Sequence, residues 1–318
     1  MIRTPGAKKV YRKVKKTVLI DSRDREPRCT PSKYTVKLPR VYENVYAVIL
    51  RTAEIPYTWY NFSQPLGNAS FVMTTTIGES TTTTDTIYIP DGNYSCDSFP
   101  CAIQSALNTQ YGTGEFVVTY DFSANRLTIQ TSATSTVIAF TLLFNPIDDP
   151  QKQSFCNNNF VGLATPTSTW WGLGFFMGFY RKDYIATITS TGTLGVTSDF
   201  SVELHPFKYI IMELEYMNKQ DETLIDGRLS GRIDGCFAKI PTTRNPCEPI
   251  FYREWGCCYL NESIMTPPIS QLSQLSVKWR FHDGRPIDFN NADHSFSLDI
   301  ITLENNFDEY SSLDFAKL

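Results

Sequence analysis

Apolar and polar residues alternate over short stretches along most of this chain, and a two-residue period predicts strands with one wet face. Tyr34, Val36 and Leu38 alternate with Thr35 and Lys37. Ile210, Met212, Leu214 and Tyr216 alternate with Glu213 and Glu215. The clearest run sets Leu275, Val277, Trp279 and Phe281 against Ser276, Lys278, Arg280 and His282. Asp283-Gly284 turns that run, and Phe296, Leu298 and Ile300 are expected as its hairpin partner. Residues 45–50 are apolar on both faces, as suits a central strand, and Pro56 ends or bends it. Residues 71–76, 86–89, 137–144 and 236–241 read as further strands, and 116–120 with 127–129 as a hairpin.

One stretch has the helical period instead. Ile103, Ala106, Leu107 and Tyr111 fall on one face, Asp97 or Ser98 is the expected cap, and Gly112 and Gly114 stop the helix. Residues 170–180 read WWGLGFFMGFY, too short and too rich in glycine to span a membrane. They suit a buried strand with close backbone packing, an apolar contact surface for a neighbour, or a lipid contact. Residues 146–169 and 218–235 are long polar connections, a kind of loop that tends to carry function. Ten to twelve strands with one short helix predict an all-β, jelly-roll-like antiparallel β-sandwich with extended N- and C-terminal arms. The expected division is a basic arm at 1–16, a sandwich body at 17–303 and an acidic, aromatic tail at 304–318.

Composition agrees with strands. Among 318 residues, 17 Tyr and 21 Phe accompany runs of Thr, types that fit a half-buried pleated surface. The net charge of −4 conceals an asymmetry. Arg3, Lys8, Lys9, Arg12, Lys13, Lys15 and Lys16 stand in the first twenty residues without an acid, so the remainder is strongly acidic. Such an arm can dock on an acidic groove of another subunit, bind nucleic acid, or remain a solvated tail. With Tyr11 its single aromatic, stacking on bases would be weak, which disfavours nucleic acid. Phe307, Tyr310, Leu313 and Phe315 are the candidate anchors of the tail. No leader-like or membrane-spanning run is present, so a reducing compartment is expected, with most of the eight cysteines free and the sequons at Asn61, Asn68, Asn93 and Asn261 unoccupied.

Candidate chemistry is sparse. His282 and His294 lie near Asp283, Asp288, Asp293 and Asp299, which permits a metal or acid–base site but reads more simply as a solvated hairpin. Cys236, Cys247, Cys257 and Cys258 lack the paired knuckles of structural zinc. Cys96 and Cys101 flank the helix start. Phosphate-loop, dinucleotide, nucleophile-elbow and zinc-protease motifs are missing, so no catalytic residue, cofactor, metal or small-molecule substrate is expected.

Residues 18–62, VLIDSRDREPRCTPSKYTVKLPRVYENVYAVILRTAEIPYTWYNF, resemble the opening of minor capsid proteins of nucleocytoplasmic large DNA viruses. The resemblance is carried by Asp21-Ser22-Arg23, by Ser32 to Leu38 and by Glu54-Ile55-Pro56, then by IYIPDGNYS at 87–95, CFAKIP at 236–241 and FHDGRPIDFNNADHSFSLDI at 281–300. It implies a structural cement protein, assembled in the host cytoplasm into the inner layer of the virion. Its partners would be major capsid protein trimers, other minor capsid proteins and the internal viral membrane, joined through the arms. The alternative is a vertex or surface capsid protein with a receptor- or glycan-binding face.

Overall fold

The computed structural model describes residues 11–78, 81–144, 172–190, 192–222, 235–253, 261–282 and 284–305. Every strand ladder among them is antiparallel. They fall into two compact units, which divides the expected single body. One unit runs to Trp59 and resumes at Phe207; the other is Tyr60–Pro206.

The first unit holds β1 (Tyr11–Asp21), β2 (Lys33–Pro56), β11 (Tyr209–Leu214), β12 (Ala238–Pro241), β13 (Pro249–Arg253), β14 (Glu262–Arg280) and β15 (Ser295–Asn305). β2 and β14 are each long enough to act twice. β2 gains β15 as a second partner just past Asn44, whose φ of 50° is a left-handed value that Asn tolerates better than most residues. Before it, Lys33–Lys37 pair with Gln274–Lys278 of β14. After it, the strand lies between β15 on one side and β13 with the start of β14 on the other. Numbering the resulting eight segments in chain order gives β1 as the first, the halves of β2 as second and third, β11 and β12 as fourth and fifth, β13 as sixth, the second half of β14 as seventh and β15 as eighth. Their neighbours then run 1-8-3-6 and 2-7-4-5. That order is the double Greek key of a jelly roll. The Tyr60–Pro206 unit is therefore an insertion between the third and fourth segments.

The expected hairpin of the 275–281 and 296–300 runs does not form. β15 pairs with β1 and β2, and β14 with β2 and β11, so β2 stands between the two runs. The core joins both rows of segments: Trp279 of the seventh lies 6.2 Å from Phe296 of the eighth, ring to ring. Val45, Ala47, Val48 and Leu50 are fully buried, as their two-sided apolar pattern requires.

The inserted unit is a small sandwich. One sheet orders β3 (Ser70–Ile77), β4 (Thr81–Tyr88), β7 (Val137–Leu143) and β8 (Tyr184–Ile185) as β4-β3-β7-β8. The other orders β5 (Phe116–Asp121), β6 (Arg126–Thr131), β9 (Thr187–Ile188) and β10 (Leu194–Thr197) as β5-β6-β10-β9. Phe71, Met73 and Leu142 share one core with Val118, Leu127 and Ile129, and Phe116 meets Phe140 edge-on at 5.4 Å. The helix α1 (Ser98–Tyr111) closes this core with Phe99, Ile103 and Leu107. Its expected cap differs: Asp97 makes no side-chain bond, whereas Ser95 Oγ accepts from Ser98 N and Ser98 Oγ accepts from Ser95 N. At its other end Asn108 receives the Phe116 N–H at 2.9 Å and donates to the Phe116 carbonyl at 3.2 Å, so one amide side chain ties α1 to β5.

Part of the WWGLGFFMGFY segment lies outside the described residues. What is described forms a short helical turn, α2 (Leu173–Phe176), in place of the expected strand. Leu173, Phe176, Met177 and Phe179 are buried, so the apolar character serves the core. Gly178, at φ +86°, places its backbone so close to Phe200 that a Cβ would sit 2.3 Å from the Phe200 carbonyl oxygen.

Candidate interaction surface

The basic residues of the expected N-terminal arm divide. Arg3, Lys8 and Lys9 lie outside the described residues, as do the tail anchors Phe307, Tyr310, Leu313 and Phe315. Arg12, Lys13, Lys15 and Lys16 belong to β1, which corrects the reading of residues 11–16 as an arm that orders on a partner. The charges disguise a regular strand: Val18 and Ile20 are buried on one face, while Leu19 between them is 83% exposed. β1 pairs along its whole length with β15, from Tyr11 opposite Asn305 to Asp21 opposite Ser295. The body thus extends from 11 to 305, beyond the expected 17–303.

β1 is also an edge. Among the described residues no strand pairs with its other side. Its cations are partly engaged within the sheet. Asp299, 1% exposed, accepts from Thr17 Oγ1 at 2.6 Å and meets Lys15 and Arg51 at 3.2 Å each. Lys16 lies 3.6 Å from Glu304, and Lys13 sits over the Tyr46 ring at 4.2 Å. Among the described residues no acid pairs with Arg12 or Lys13.

The Asp21-Ser22-Arg23 motif is a latch at the end of this strand. The Asp21 carboxylate accepts from Arg23 Nε and from the Arg23 backbone N–H, each at 2.9 Å, and the Arg23 contact holds its pKa below the ordinary carboxylate value. Ser22 is fully buried: its N–H donates to the His294 carbonyl at 2.8 Å, and its hydroxyl accepts from His294 N at 3.0 Å and donates to Asp293 at 2.8 Å. Arg25 completes the knot on Asp293 and the Ser22 carbonyl, and Asp293 is held below its ordinary pKa chiefly by Arg25. At the far end of β2, Glu54 accepts from Ser295 Oγ at 2.7 Å.

His294 is 3% exposed, not part of a solvated hairpin. Its Nε2 pairs with the Tyr34 hydroxyl at 2.8 Å, and the rings of Trp279 and Phe289 stand 5.1 Å away. Burial depresses its pKa to about 4, so the ring is neutral. His282 occupies a different setting. Its Nδ1 lies 3.8 Å from Glu222, which with Glu213 clasps the nearly buried Arg280. Burial raises the Glu222 pKa, but bonds from His282 and Arg280 outweigh it, and the net shift is downward. The carboxylates that sequence places beside the histidines are dispersed: Asp288 caps the Asn290 N–H, Asp293 belongs to the latch, Asp299 serves β1, and Asp283 lies outside the described residues. No group of three metal-ligating side chains occurs among the described residues. Cys236, Cys247, Cys101, Cys96 and Cys29 are free thiols; Cys236 is buried, with its pKa raised to about 11 by burial, and the other four are at least partly exposed, while Cys257 and Cys258 lie outside the described residues. The sequon residues Asn61, Asn68 and Asn261 are buried with Nδ2 bonded internally, which leaves no room for a glycan.

The inserted unit carries a second exposed feature. Val202 N donates to Asn125 O at 3.0 Å and Phe200 N to Gly178 O at 2.8 Å, which gathers three loops. Tyr180 and Phe200 are 50% and 47% exposed there and meet edge-on at 4.3 Å. Sequence reasoning missed this pair, because the two residues stand twenty positions apart in the chain.

No family model and no curated protein matches the chain. Among solved structures, it is similar to the mavirus penton protein, with 13% identity and a TM-score of 0.45 over 93% of this chain and 100% of that one. It is also similar to a chain in the cryo-EM structure of the Sputnik virophage, with 11% identity and a TM-score of 0.47 over 91% of this chain and 98% of that one.

Proposed function

We propose that this chain is a structural, non-catalytic component of a virus capsid: a minor capsid protein that joins major capsid protein capsomers from the inner side of a large icosahedral shell, using its termini and edge strands. The observation that carries this reading is the coincidence of fold and motif in one unit. Apart from IYIPDGNYS at 87–95, which lies in the inserted unit, the residues that resemble large-virus minor capsid proteins are structural parts of the jelly roll: Asp21-Ser22-Arg23 latches β1, 32–38 opens β2 and Glu54-Ile55-Pro56 ends it. A fold alone does not fix a function, so the motif placement matters. The test is incorporation. Removing residues 1–16 would take away half of β1, so the informative deletion is 1–10. That protein is expected to melt like the full chain yet be missing from purified particles. Normal incorporation would overturn the role of the arm, and absence of the full chain from purified virions would overturn the capsid reading.

A second reading, a surface-exposed capsid protein with a receptor- or glycan-binding face, is favoured by the exposed Tyr180 and Phe200 pair. Antibody access to intact particles separates the two. An inner protein is unreachable, and a surface protein is labelled.

A further inference from the structure

We propose that the free edge of β1 receives the acidic segment 306–318 of a second copy of this chain as an added antiparallel strand. An unpaired edge of eleven residues is a template for strand addition, because about half of its backbone N–H and C=O groups point away from the sheet. Charge decides what it accepts. Lysines along an edge oppose pairing with a second β1, since like charges would then face each other. The same residues attract an acidic strand, so one feature both rejects and selects. Among the described residues only Asp299 and Glu304 pair with β1 cations, which leaves Arg12 and Lys13 without a described acid.

Segment 306–318 matches in charge, length and character. It carries Asp308, Glu309 and Asp314 against Lys317, with Phe307, Tyr310, Leu313 and Phe315 spaced through it. Extended, it reaches about 43 Å, against roughly 36 Å for β1, so it can cover the whole edge. Its starting point favours a neighbour over its own subunit. Asn305 lies opposite Tyr11, with β1 between that point and the free edge. To reach its own edge the segment would have to cross the chain entering at Tyr11 and then run parallel to β1. A second copy offers the antiparallel pairing without a crossing. The exposed Leu19 gives this added strand an apolar neighbour.

The test uses full-length chains and two charge reversals, Arg12→Glu with Lys13→Glu on the edge and Asp308→Lys with Glu309→Lys on the segment. Sedimentation velocity at low salt is expected to show self-association of the unaltered chain, weakened about tenfold or more in either variant alone. Mixing the two variants is expected to restore association, because each then offers the charge the other lacks. Hydrogen exchange should slow at alternate amides of 11–21 only in the associating samples. Self-association that ignores both reversals overturns the proposal, as does a mixture that stays monomeric. A monomeric unaltered chain with protected β1 amides also overturns it, by showing that the edge is covered within one chain. Circular dichroism confirms that each variant is folded; if the edge variant is not, Arg12→Gln with Lys13→Gln replaces it and must weaken association in the same direction.

Discussion

The buried, neutral His294 makes the jelly roll sensitive to mild acid. In the unfolded chain a histidine titrates near 6.5, while in the fold burial lowers the value to about 4. Asp293 and Asp21 raise it and Arg25 lowers it, so the surrounding charges partly cancel and desolvation decides. The stabilisation from keeping this ring neutral is complete above pH 6.5. As pH falls from 6.5 towards 4, the unfolded state takes up a proton that the folded state refuses, and stability is lost. Across the full window the loss approaches roughly 3 kcal/mol, and between pH 7 and pH 5 it is about 2 kcal/mol. The upper interval is the useful one, because Asp21, Asp293 and Glu222 have lowered values and contribute only near and below the ordinary carboxylate range. Urea unfolding at pH 7 and pH 5 should therefore show a drop in the unaltered chain that exceeds the drop in His294→Gln by about 2 kcal/mol. The substitution keeps a polar partner for Tyr34 and removes the titration. An equal drop in both proteins refutes the argument. So does an imidazole NMR signal of His294 that moves between pH 7 and pH 5, a measurement that needs no variant.

Three further outcomes follow from the packing. Ser22→Ala leaves the His294 N–H and the Asp293 carboxylate each short of a partner and should cost about 1–3 kcal/mol in chemical denaturation, with loss of protection at the Asp21 end of β1. Trp279→Ala removes one of the largest fully buried side chains and should cost about 3–5 kcal/mol. Gly178→Ala meets both a left-handed backbone and the Phe200 carbonyl; it should destabilise by about 2 kcal/mol or more, whereas Gly284→Ala, also at positive φ but with open space around it, should cost less.

The alternation that marks β2, β11, β14 and β15 is legible in sequence because each buries one face against a core. Their partners are not legible, since a jelly roll pairs segments far apart in the chain. That is why the 275–281 and 296–300 runs, adjacent in sequence, are separated by β2. The insertion was hidden for another reason. Its boundaries fall at Trp59-Tyr60 and Pro206-Phe207, where aromatic residues interrupt the polar ones and no continuous polar run marks a linker. β1 was half hidden because Lys13, Lys15 and Lys16 mask the period that Val14, Val18 and Ile20 keep. His294 looked solvated because it follows Asn290, Asn291 and Asp293; the rings of Trp279 and Phe289, with Tyr34 and Ser22 some 260 to 270 positions away, take it inside.

The chain leaves the jelly roll and returns to it through a single doorway. Trp59 packs against Phe281, which stacks on Phe207 at 3.8 Å, so the exit and the re-entry stand side by side. Within the insertion, Asn61 bonds the Leu204 carbonyl at 3.2 Å, so its two ends meet as well. Residues 60–206 are thus wired as a cassette: a lineage could trade that module for another, or shed it for a short bridge, without rethreading a single strand of the scaffold that holds it.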